Sequence, residues 1–92
     1  MTADSAGQPG VVLFTRVGCH LCEDAATQLE GLARELGFGW RAVDIDRDAA
    51  LLARYDWLVP VVALDGVELV HAPIEPAILR ERLRAALLRA AH

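Results

Sequence analysis

Cys19 and Cys22 are the two cysteines of this 92-residue chain, and they stand three residues apart. A disulfide closing so short a loop stabilises a fold by only about 2 kcal/mol in the chain-entropy model, against roughly 3 for a 15-residue loop. Such a bridge is a weak staple, better suited to being made and broken. Its surroundings point the same way. Val11-Val12-Leu13-Phe14 is a continuous apolar run of the kind found in a strand covered on both faces, and Thr15-Arg16-Val17-Gly18 interrupts it, with Gly18 giving backbone freedom just before Cys19. Beyond it the apolar period changes to that of a helix. A Cys-x-x-Cys pair where a first strand runs into a first helix is a stronger redox signal than the pair alone. Unpaired N–H groups and the macrodipole at a helix N-terminus favour negative charge, so Cys19 is expected to form a thiolate below the free-thiol pKa of about 8.5. Cys22, one turn inside and on the core-facing stripe, suits the resolving role: attack by Cys19 on a partner sulfur, a mixed disulfide, and release by Cys22.

Charged neighbours act in both directions. Arg16 and, when protonated, His20 favour the thiolate; Glu23 and Asp24 in the first turn oppose it, and the helix end is expected to dominate. Plainer readings stand beside these. Arg16 can be an ordinary solvated loop charge. The cysteines can be a buried apolar pair or half of a metal site. A structural zinc site needs four ligands and only His20, His71 and His92 remain as soft candidates, so no closed metal site within one chain is expected. Two rivals of other classes remain: a dimer holding a metal or iron–sulfur cluster between two Cys19/Cys22 pairs, and a non-catalytic adaptor.

Composition bounds the rest. At this length there is room for one domain, which buries only about 60–65% of the surface its unfolded chain exposes, and 54% hydrophobic residues suffice for its core. The formal charge of −4 argues against nucleic acid, and no segment approaches the roughly 20 apolar residues of a membrane span. Residues 1–10 lack the basic and apolar regions of a secretory signal and are expected to be a disordered lead-in to a domain over 11–92. A cytoplasmic, reducing location follows, where a lone cysteine pair is more often catalytic or metal-binding than structural.

The elements that must position the pair follow in order. Cys22, Ala25, Ala26, Leu29, Leu32, Ala33 and Leu36 fall on one helical stripe that Gly37 ends. Trp40, Ala42, Val43 and Ile45 suggest a second strand, and Asp46 or Asp48 caps a short helix through Tyr55. Val61–Leu64, the turn signal Asp65-Gly66 and Val67–Val70 read as a hairpin opened by Pro60. Pro76 suits the first turn of a last helix whose apolar face is Ile78, Leu79, Leu83, Ala86 and Leu87.

Thr15 to Cys22 and Val59-Pro60, in this β-α-β-α-β-β-α order, resemble the glutaredoxin branch of the thioredoxin superfamily, and more narrowly its small bacterial glutaredoxin-like domains. The resemblance covers nearly everything after residue 10. It implies an α/β fold with a four-stranded mixed sheet ordered 2-1-3-4 and helices on both faces. It also implies a monomeric thiol–disulfide oxidoreductase in electron transport, acting on disulfide-containing proteins or small thiols, with no bound cofactor. Cys19 and Cys22 would be catalytic; Arg16, His20, Leu21, Val59 and Pro60 would line the substrate site. Pro60 would be a cis-proline that leaves the Val59 backbone to pair with a peptide or glutathione; a simple edge-strand or turn proline is the plainer alternative. Trp57 is expected to pack against the sheet, with shielding of the dithiol as the alternative. Three departures bear on the reductant. His20-Leu21 replaces Pro-Tyr between the cysteines, and Leu58 replaces a Thr. Val70-His71 and Pro73-Ile74 stand where the γ-glutamyl end of glutathione is usually held, so the glutathione motif is incomplete and a thioredoxin-type donor is as good an expectation.

Overall fold

The computed structural model describes residues 10–90, so the expectations for residues 1–9 and for His92 lie outside the described residues. Its elements are β1 (Val11–Thr15), α1 (His20–Leu36), β2 (Trp40–Asp44), a 3-10 turn (Ile45–Arg47), α2 (Ala49–Tyr55), β3 (Val61–Leu64), β4 (Val67–His71) and α3 (Pro76–Ala90). The sheet is ordered β2-β1-β3-β4, with β1 parallel to β2 and antiparallel to β3, and β3 antiparallel to β4. The α/β class, element order and sheet order are those expected.

Strand alternation builds two cores. Val11, Leu13, Val62 and Leu64 face α1 and α3, where they pack with Ala25, Leu29, Leu79 and Leu83. Val61 and the half-buried Phe14 point to the opposite face, against Ile45, Tyr55, Leu51 and Leu52. There the Phe14 and Tyr55 rings stack with centroids 4.6 Å apart. The central strands β1 and β3 are thus covered on both sides, which is why they read as unbroken apolar runs.

Chain reversals follow local chemistry. Gly37 ends α1 in the left-handed conformation, its N–H donating to the Ala33 carbonyl. Asp65 and Gly66 both have positive φ, 50° and 83°, as a two-residue primed hairpin turn requires. Gly10, expected in the lead-in, is tied to that turn: its N–H donates to Asp65 Oδ1 at 2.8 Å and its carbonyl accepts from Asp65 N–H. The strand β4 runs one residue further than expected, to His71, and is bulged at Leu69 opposite the Val62/Ala63 step; Arg82 Nη1 donates to the Leu69 carbonyl at 2.9 Å.

Two expectations need correction. Ile45 belongs to no strand: Asp44 Oδ1 accepts the N–H of Asp46, two residues on, and that side-chain turn ends β2 and buries Ile45 in a 3-10 turn. Ile78 is exposed instead of lying on the buried face of α3. The buried stripe is Leu79, Leu83 and Ala86, and a neighbour one residue away is turned by about 100° around the helix. Of the two candidate caps, Asp48 holds α2, accepting from Ala50 and Leu51 N–H at 2.9 and 3.1 Å.

Candidate functional site

Register places four chain ends together. Thr15 of β1 lies beside Asp44 of β2, Phe14 beside Val61 of β3, and Val61 beside His71 of β4. At this end of the sheet Arg16–Gly18 leads into α1. Gly18 has φ +77°, a left-handed value that glycine takes without a Cβ penalty, and it turns the chain so that Cys19 becomes the N-cap. Cys19 Sγ accepts from Cys22 N–H at 3.2 Å, and its carbonyl accepts from Glu23 N–H at 3.1 Å. The sulfur therefore sits where the unpaired N–H groups of the first turn converge.

Cys19 and Cys22 are joined to each other, with Cα atoms 5.1 Å apart. Their environments differ. Cys22 is 2% exposed on the buried stripe of α1, whereas Cys19 is only half-buried. Between them His20 and Leu21 face outward; His20 Nδ1 lies 3.9 Å from Glu23.

Arg16 is drawn to acidic partners from distant parts of the chain. Its Nε and Nη2 meet the two oxygens of Asp46 at 3.1 and 2.7 Å, Nη2 reaches Asp56 Oδ1 at 2.9 Å, and Nη1 donates to the Asp56 carbonyl at 3.3 Å. The hydrogen bonds to Asp46 and Asp56 raise the Arg16 pKa further, and those from Arg16, aided by its charge, hold the Asp46 carboxyl below the ordinary carboxylate range. The guanidinium thus ties the dithiol loop to the 3-10 turn and to the end of α2.

The Val59–Pro60 bond is cis, Pro60 is buried, and both stand at the dithiol end of the sheet by the register of β3. The Val59 backbone is less available than expected. Its N–H donates to the Tyr55 carbonyl at 3.2 Å, as does the Leu58 N–H at 2.8 Å, while the Leu58 carbonyl accepts from Ala72 N–H.

Trp57 departs furthest from expectation: it is 92% exposed and does not pack against the sheet. Val17 at 87% and Leu21 at 55% are exposed at the same end of the molecule. Sequence reasoning named Leu21 for the substrate site but missed the exposure of Val17 and Trp57, because an apolar side chain in a short loop reads as core. It also missed Asp46 and Asp56 as partners of Arg16, which no spacing announces.

Val70 is buried, and His71, Pro73 and Ile74 line an open groove of about 460 Å³ with Glu68, Ile78 and Arg82; His71 Nδ1 lies 2.8 Å from Glu68. Among the described residues no three His, Cys, Asp or Glu side chains converge as metal ligands, and no helix is long and apolar enough to cross a membrane.

Comparison with known proteins places this geometry. The model of the family described as Glutaredoxin-like domain (DUF836) matches residues 10–88. The uncharacterized protein Rv0508 of Mycobacterium tuberculosis is 38% identical over 87 residues, spanning 89% of this chain and 86% of its own. The structure of target protein XcR50 from X. campestris superposes with a TM-score of 0.70 at 37% identity, covering 82% of this chain and 96% of that one. Fasciola hepatica thioredoxin matches with a TM-score of 0.59 at 26% identity, over 91% of this chain and 82% of its own.

Proposed function

The chain belongs to the glutaredoxin-like domain family, within the thioredoxin fold, and from that premise we propose that it is a thiol–disulfide oxidoreductase working through Cys19 and Cys22. One observation carries the reading: a reachable sulfur caps the first helix while its bonding partner is sealed one turn inside. In the reduced protein the Cys19 thiolate, favoured by the Cys22 N–H and the helix end, attacks one sulfur of a partner disulfide. That bond breaks, the other partner sulfur leaves as a thiolate, and a Cys19–partner disulfide forms. Cys22, deprotonated, then attacks Cys19 Sγ and expels the partner as its second thiolate. Two electrons have passed to the partner, and the Cys19–Cys22 disulfide remains. An external thiol, either glutathione or a thioredoxin-type dithiol, returns the pair to its reduced form, and a reducing cytoplasm suits that supply.

The burial of Cys22 favours this cycle over a cluster shared between two chains, since a thiolate sealed under its own helix is a poor ligand for a metal held outside it. Titration of the pair against glutathione redox buffers tests the reading. The expected midpoint lies between about −180 and −280 mV, the range of disulfide isomerase, glutaredoxins and thioredoxin. A midpoint far below it marks an inert structural bridge. Alkylation of the reduced protein is expected to label Cys19 first; equal, slow labelling of both thiols refutes the assigned roles.

A further inference from the structure

We propose that Val17, Leu21 and Trp57 form an apolar rim around Cys19 that docks a protein partner whose disulfide is flanked by apolar and basic residues. The proposal rests on the oxidoreductase reading and names its substrate class. Leu21 lies between the cysteines and Val17 two residues before them. The segment that carries Trp57 is tied to the dithiol loop, because Arg16, the neighbour of Val17, donates to the carbonyl of Asp56, the neighbour of Trp57. An exposed apolar residue standing alone is ordinary; three around one reactive sulfur are a patch, and tryptophan is among the residues that most often anchor protein interfaces.

Charge decides among occupants. The dithiol segment 16–24 and the segments 44–48 and 54–59 that Arg16 ties to it carry six carboxylates against three arginines, and Arg16 is committed to two of those carboxylates. A second copy of this chain, itself at −4, would bring like charge to like. Oxidised glutathione, with four carboxylates and two ammonium groups, meets the same repulsion and has no apolar surface to lay on Trp57. A basic partner with apolar side chains beside its disulfide matches on both counts.

The experiment compares single-turnover oxidation of the reduced protein by three disulfides: hydroxyethyl disulfide and two synthetic cystine peptides. The peptides share Leu and Phe beside the cysteines and differ only in flanking Lys or Glu. The Lys peptide is expected to react at least about fivefold faster than the Glu peptide at 10 mM salt, with the gap closing towards 1 M as the screening length falls from about 30 to 3 Å. Trp57→Ala is expected to lower the ratio of the Lys-peptide rate to the hydroxyethyl disulfide rate by about fivefold or more. Because Trp57 packs on nothing in the core, the melting temperature of the variant checks that the fold is kept. Equal or faster reaction of the Glu peptide overturns the proposal, as does a ratio that Trp57→Ala leaves unmoved. A dimer of the wild type that Trp57→Ala dissociates also overturns it, since the rim is then a self-interface. If the wild type reacts with none of the three disulfides, the oxidoreductase reading itself fails and the docking proposal falls with it; reaction with hydroxyethyl disulfide alone keeps the chemistry and sinks only the docking.

Discussion

Replacing Gly18 by Ala tests the turn that delivers Cys19 to its helix. A Cβ built on Gly18 meets no heavy atom within 4 Å, so no clash contributes. What remains is backbone: at φ +77° an L-residue costs about 1–2 kcal/mol, partly offset by about 0.4–1 kcal/mol because alanine loses less freedom on folding. The net expectation is a loss of about 0.5–1 kcal/mol. The same chemical change at Gly31 should carry the opposite sign. Gly31 is exposed in the middle of α1, its Cβ also meets open space, and helical backbone favours alanine by about 0.8–1 kcal/mol. Thermal and urea unfolding of the oxidised proteins read both. For a domain of this size 1 kcal/mol moves the melting temperature by about 4–8 °C, so the two variants should straddle the wild type. Gly18→Ala should also slow alkylation of reduced Cys19 at neutral pH, since a chain that relaxes out of the left-handed region draws the sulfur away from the Cys22 N–H. A Gly18→Ala protein as stable as the wild type, or a Gly31→Ala protein less stable, would refute the reasoning.

Acid stability should depend on two ion pairs. Hydrogen bonds from Arg16 to Asp46 and from Arg80 to Glu35 lower both carboxyl pKa values in the folded state. Lowered folded values mean that the stabilisation is present above the unfolded range near 4 and is lost as pH falls through them. Asp46→Asn and Glu35→Gln should therefore flatten the stability profile below about pH 4 in urea titrations; profiles parallel to the wild type throughout would count against these pairs. Asp48→Ala removes the acceptor of two N–H groups at the start of α2 and should cost about 1 kcal/mol, read as a lower urea midpoint with an unchanged slope, whereas an unshifted midpoint would show that the cap is idle.

The proposed rim and the Arg16 cluster are connected. Arg16 spans 30 residues to Asp46 and 40 to Asp56, so one guanidinium holds together the loop before Cys19, the turn after β2 and the end of α2 that presents Trp57.

What the sequence alone determined is local. The hydrophobic period of α1, the stop at Gly37, the Asp65-Gly66 turn and the seat of Cys19 at a helix mouth are set by neighbours within about four residues, and each stands where its spacing placed it. The double-sided covering of β1 was legible for a similar reason, since a strand covered twice must be apolar at every position, and β3 shares that character. Tertiary structure alone decided which acids neutralise Arg16, that Ile45 turns inward after β2, that the Val59 N–H is spent on Tyr55, and that Trp57 stands in solvent. Hydropathy records how much a side chain gains from burial, not whether a surface is there to receive it. That depends on segments tens of residues away along the chain, and only the folded chain brings them near.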